Sequence, residues 1–235
     1  ATRHFYLTLS GDFLSPNLLS SIDSGRSFLK CMNSLDVSYC CFGNHEGDLK
    51  LEDLQRRIFE FRGSFLNSNV DFKFSNLNLG LKTGRNSEQY TYKEALPSYD
   101  ILHLKAGSEN EKDVKIGIIG LLTDEKNVFR NDEFKGFKIH DVIDTAQRLE
   151  TYLIKEKKCD KIVALTHMSV KRDRELAEGT NHLLTILGGH DHFPVDETRN
   201  CTRISKTGQD AEYCGITDVY IDSNFELSVD YKLEP

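Results

Sequence analysis

Asp12, Asn44, His45, His167 and His190 are the residues of this chain placed to do chemistry, because each stands just beyond a short apolar run. Asp12 follows residues 5–9, Asn44 and His45 follow 37–42, His167 follows 162–165, and His190 follows 183–187. A carboxylate, an amide oxygen and neutral imidazoles form a mixed nitrogen and oxygen donor set. Such a set suits Zn²⁺, Mn²⁺ or Fe, and not the all-oxygen preference of Ca²⁺. One aspartate can bridge two such ions. Gly11, Gly43, Gly188 and Gly189 beside these residues let the chain turn sharply and leave space for a metal.

Residues so far apart in sequence meet only if strands deliver them. In open α/β sheets, functional groups gather at the carboxyl ends of the strands, where loops present them in one crevice. The runs 5–9, 37–42, 116–122, 162–165 and 183–187 read as buried strands, and segments of helical period alternate with them, which predicts an α/β fold. Ser15-Pro16 offers an N-cap and a first-turn proline, with Phe28, Met32 and Leu35 as the face of the helix beyond Gly25. Leu51, Leu54, Ile58 and Phe61 make a second stripe, and Val142, Ala146, Leu149 and Leu153 a third, all expected to be core. Residues 67–95 and 107–113 read as surface excursions. Residues 215–222 and 225–231 flank Asp222-Ser223-Asn224 and predict a closing hairpin on a sheet edge.

The 235 residues, with 38% apolar content, fit one domain with a substantial core. Thirty-seven acidic against 30 basic side chains give a net charge of −7, which argues against a nucleic-acid surface. No apolar run reaches the roughly 20 residues of a membrane span. The six cysteines, Cys31, Cys40, Cys41, Cys159, Cys201 and Cys214, lack CxxC spacing, so a zinc ribbon is excluded. Three of them lie in apolar segments, where a thiol acts as a small hydrophobe. This usage favours a reducing, cytoplasmic location, although a start at Ala1 leaves any upstream signal segment unseen.

Ser10-Gly11-Asp12-Phe13-Leu14-Ser15-Pro16, residues 42–48, Leu165-Thr166-His167-Met168 and residues 188–192 occur in this order, and Lys206-Thr207-Gly208-Gln209-Asp210 follows. With these stretches the chain resembles the calcineurin-like metallophosphoesterases, and within them the 5′-nucleotidase group. The resemblance implies a four-layer αββα sandwich with the metal site at the carboxyl ends of its strands. It implies that Asp12 bridges two divalent ions (Mn, Zn, Fe or Mg), that Asn44, His167 and His190 bind one of them, and that His192 binds the other. His45 is then a catalytic group beside the scissile phosphate, with Asp48 orienting and charging its imidazole. The implied partner is a small phosphorylated substrate, a nucleotide in the first instance.

The Asp-x-His of the family's opening strand, which supplies further ligands beside Asp12 and His192, is not among these residues; an Asp-x-His upstream of Ala1 would complete the set. The group's separate C-terminal domain, which holds the nucleoside base, is also not among them. Gly47 stands where the group often has an aromatic residue. Residues 1–235 therefore read as one catalytic domain without its first strand. Two alternatives stand beside hydrolysis of phosphate monoesters: a non-catalytic binding scaffold on the same fold, and a cyclic-nucleotide phosphodiesterase using the same site. Asp191 and Glu46 read as supports to the ligands, His103, His140 and His182 as ordinary histidines, and Arg172 and Asp173 as a solvated helix face.

Overall fold

The computed structural model describes residues 4–72, 96–104, 113–130, 134, 137–222 and 226–235. Three parallel strands, β1 (Thr8–Ser10), β2 (Tyr39–Cys41) and β3 (Ser64–Leu66), form one sheet. Two short strands, β4 (Val70–Asp71) and β7 (Lys138–Ile139), pair with each other. The large sheet is built from β5 (Tyr99–Leu104), β6 (Val114–Leu122), β8 (Lys161–His167), β9 (Leu183–Gly189), β10 (Pro194–Arg199) and β11 (Thr202–Thr207). Its order is β10-β11-β9-β8-β6-β5, parallel through the middle and antiparallel at both edges. A last pair, β12 (Cys214–Ile221) and β13 (Leu227–Glu234), forms an antiparallel hairpin.

Helices α1 (Ser20–Asp23), α2 (Arg26–Ser34) and α3 (Leu51–Glu60) belong to the half with the three-stranded sheet, and α4 (Val142–Lys155) and α5 (Val170–Gly179) to the half with the large one. Three apolar clusters separate the layers. Leu29, Met32, Leu54 and Ile58 pack with Cys40, Phe42 and Phe65 on the outer side of β2 and β3. Tyr39, Cys41 and Leu66 meet Ile116, Ile118, Val163 and Leu165 between the two sheets. Val142, Ala146, Leu153, Leu176 and Ala177 cover the far face of the large sheet. Residues 116–122 of β6 and 162–165 of β8 read as apolar runs because both faces of these strands are covered in this way. Each fully buried aliphatic side chain contributes about 1.5–3 kcal/mol. The result is the αββα order, with one sheet small and the other large.

The stripes of α3 and α4 pack as their period predicts, Leu54 and Ile58 on one and Val142, Ala146 and Leu153 on the other. Other expectations are corrected. The first ladder begins at Thr8, and Phe5, before it, is exposed. Ser15-Pro16 lies in an irregular bend, and helix formation starts only at Ser20. The buried face of α2 is Leu29 and Met32, while Phe28 and Leu35 are exposed, because packing on β2 and β3 selects the neighbouring stripe. Asn69, assigned by its polarity to a surface excursion, is buried and tied to Leu122 by a donated bond of 2.7 Å and an accepted one of 2.9 Å. Residues 73–95 and 107–112 of the two expected excursions lie outside the described residues. The closing hairpin forms where expected, but its Val219, Leu227 and Val229 pack against the inter-sheet cluster instead of extending a sheet edge.

Candidate metal centre

The strands β1, β2, β8 and β9 carry their polar residues at their carboxyl ends, and the two sheets face each other there. Among the described residues, Asp12, His167 and His190 offer ligand atoms that all lie within 4.8 Å of one another. Asp12 and His190 both adopt left-handed backbone, φ 54° and 77°, which is uncommon for residues other than glycine and collects at functional sites. Glu46 holds the first of these turns. Its buried carboxylate accepts the backbone N–H groups of Asp12 (2.8 Å), Phe13 (2.9 Å), Leu14 (2.9 Å) and Gly43 (2.6 Å), fastening the loops after β1 and β2 to one point. The loops approach so closely that a Cβ on Gly43 would stand 2.1 Å from Asp12 Oδ1. That close approach explains the glycine.

The protonation of His167 follows from its partners. Nδ1 lies 2.6 Å from the carbonyl oxygen of Ser10, which can only accept, so Nδ1 carries the hydrogen and Nε2 of the neutral ring presents a lone pair. Nε2 is buried, stands 2.9 Å from Asp12 Oδ2, and is not aligned in a hydrogen bond with any described residue. Asn44 behaves alike. Its Nδ2 donates to the carbonyl oxygen of Val128 at 3.1 Å, which leaves Oδ1 buried without a hydrogen-bond partner among the described residues. Buried acceptors left bare are costly unless something satisfies them. A divalent cation would do so, and the donor set of carboxylate, amide oxygen and two imidazoles fits a transition metal or Zn²⁺.

Burial lowers the pKa of His167, but the Asp12 carboxylate beside Nε2 outweighs it and raises the group, so a cation bound at Nε2 displaces a proton. Burial raises the pKa of the Asp12 carboxyl, but His167 and the N–H of His45 outweigh it, so the group lies below its ordinary value and stays ionised. Burial lowers the pKa of His190, and the neighbouring His167 lowers it further, which keeps that imidazole neutral as a ligand must be. Glu46 is pushed up to about 7 by burial and then by the charge of Asp12, against the backbone N–H groups that favour its ionised form.

His45 sits on a short 3₁₀ turn, Asn44–Asp48, with its backbone N–H donating to Asp12 Oδ1 at 2.8 Å. Its Nδ1 lies 2.9 Å from Asp48 Oδ2, and its side chain is 25% exposed. Arg130, unremarked in the sequence, reaches to 3.7 Å from Asp48. His192 is exposed and outside the converging trio. Two readings from sequence change. Asp173 is fully buried, accepts from Thr166 Oγ1 at 2.7 Å and pairs with Lys206, while Arg172 is clasped by Asp124 and Glu175, so neither forms a solvated face. Glu46 proves to be the organiser of two loops; its place inside the 42–48 stretch was the available signal.

Fold and site together define a class: an α/β sandwich gathering metal-type donors at the carboxyl ends of strands from two facing sheets. The chain belongs to the calcineurin-like phosphoesterase family, whose model matches residues 2–194. It is 27% identical over 251 residues to the trifunctional nucleotide phosphoesterase protein YfkN of Bacillus subtilis (strain 168), covering 97% of this chain and 17% of that protein. It is 28% identical over 184 residues to the NAD 5′-nucleotidase of Haemophilus influenzae, covering 78% of this chain and 27% of that one. The chain thus spans less than a third of the length of these curated relatives. Among solved structures, the NAD nucleotidase NadN of H. influenzae superposes with a TM-score of 0.73 at 22% identity, covering 96% of this chain and 44% of that one. The calcineurin-like phosphoesterase YfkN of B. subtilis gives 0.74 at 19%, covering 97% and 76%. These likenesses bear out the fold class expected from sequence.

Proposed function

We propose that this chain is one catalytic domain that hydrolyses phosphate monoesters, nucleotides foremost, with two divalent metal ions. The observation that carries this reading is the convergence of Asp12, His167 and His190, whose ligand atoms lie within 4.8 Å of one another. Asp12, Asn44, His167 and His190 would hold one ion, and Asp12 with His192 the other. Bound there, the ions would supply Lewis acidity to the phosphoryl oxygens and an acidified water as nucleophile.

The chain's own residues do the rest. Asp48, 2.9 Å from Nδ1 of His45, fixes the orientation of the ring and leaves Nε2 free to act as the acid toward the departing oxygen. Glu46 keeps the Asp12 turn rigid, so the carboxylate needs no rearrangement to serve. A nucleotide substrate is supported by the relatives, one named a nucleotide phosphoesterase and another an NAD 5′-nucleotidase. The test is an assay of the full-length protein on nucleoside monophosphates, cyclic nucleotides and a chromogenic phosphate monoester, with and without Mn²⁺. Metal-dependent release of phosphate from the monoesters is expected. A protein that binds Mn²⁺ yet hydrolyses none of them would overturn the reading.

A further inference from the structure

We infer that Lys206 is a positioning residue that fixes the placement of His167 relative to His190, and through it the affinity of the metal centre. The inference rests on the reading that these two imidazoles hold a metal. Lys206 lies on β11, in register with Gly188 of β9, and its side chain is fully buried. The stem passes against Gly188, where an added Cβ would stand 2.8 Å from Lys206 Cε. This contact accounts for a glycine one residue away from the Gly189–His190 turn.

The ammonium group donates to the carbonyl oxygens of Met168 (2.7 Å) and Gly189 (2.8 Å) and to Asp191 Oδ2 (2.6 Å), which uses its three hydrogens. Asp173 Oδ2, 2.7 Å away, adds an ion pair. Met168 follows His167, and Gly189 and Asp191 flank His190. Asp173 also takes the hydroxyl of Thr166, the residue before His167, at 2.7 Å. One cation therefore grips the backbone beside both candidate ligands, whose ring centroids stand 5.2 Å apart at 73°.

Stability alone does not account for such a cluster, because apolar residues of similar volume commonly replace buried ion pairs without loss. Placement of the ligand turns does. Outer partners of metal ligands typically govern about 10- to 100-fold in affinity.

The test compares Mn²⁺ binding by calorimetry in the wild type, in Lys206→Met/Asp173→Asn, which removes both buried charges together, and in Gly188→Ala, which displaces the lysine stem and keeps every charge. His190→Ala serves as control. Circular dichroism and thermal unfolding establish which variants fold. Both test variants are expected to bind Mn²⁺ roughly 10- to 100-fold more weakly than wild type, with their residual kcat measured at saturating metal. Wild-type affinity in whichever of the two folds overturns the role of Lys206 and leaves the metal site standing. Wild-type affinity in His190→Ala, or no binding by the wild type, overturns the metal-site reading itself and this inference with it.

Discussion

His167 keeps 1% of its side chain exposed and is gripped at Nδ1 by a backbone carbonyl, whereas His45 keeps 25% exposed and leans on Asp48 from a short turn. In the proposed site the two histidines are held in opposite ways. A ligand must be oriented before the metal arrives, so its ring, its tautomer and its backbone are fixed in a dry setting. An acid that meets a substrate must be reachable and must change protonation state during a turnover, so it stays at the rim, oriented by Asp48.

The sharpest way to break this contrast is to remove the shared carboxylate. Asp12→Asn should weaken Mn²⁺ binding by more than about 100-fold, beyond what the loss of an outer partner costs, and abolish hydrolysis. Calorimetry on a folded variant that binds as wild type would contradict the buried half of the comparison. His45→Ala should behave in the opposite manner, with kcat down about 10²–10⁴-fold and metal affinity unchanged. A parallel loss of metal would show that the rim is not separate from the ligand set.

Glu46→Gln probes the support beneath both halves. It replaces one acceptor oxygen with a donor amide against four backbone N–H groups, so unfolding free energy should fall by about 1–3 kcal/mol and metal affinity by about tenfold. Denaturant titration with and without Mn²⁺ reads both effects. The smallest change lies away from the site. Asp141 caps α4 by accepting from the N–H of Asp144 at 2.8 Å, and Asp141→Ala should cost about 1 kcal/mol without altering metal binding. The backbone N–H of Asp144, with Arg172, holds this carboxyl below its ordinary value of 3.8 despite some burial. A depressed carboxylate stabilises the fold above its unfolded pKa and loses that contribution as pH falls through the folded one. The gap between wild type and variant should accordingly close in acid, and a gap that widened there would refute the cap.

Much of the candidate site is legible in the chain because its donors sit directly after apolar strands, and strand ends are where an α/β sheet presents side chains. The order of Asp12, Asn44, His167 and His190 therefore carries the fold with it. The helix faces of α3 and α4 are legible for the same reason, a period long enough to mark one side. The face of α2 is only partly legible because Met32 belongs to two stripes, one with Leu29 and one with Phe28 and Leu35, and only the sheet beneath chooses between them.

By itself the sequence determined the α/β class and the family and set out the candidate metal ligands, since these depend on local pattern and order. Tertiary structure alone decided which charged residues support them. Asp173 and Lys206 look like surface charges in any local window, and they become a buried pair only because α5 and β11 meet against the ends of β8 and β9. Burial of a charge is set by neighbours from distant parts of the chain, and Lys206 finds its carbonyl partner at Met168, 38 residues away.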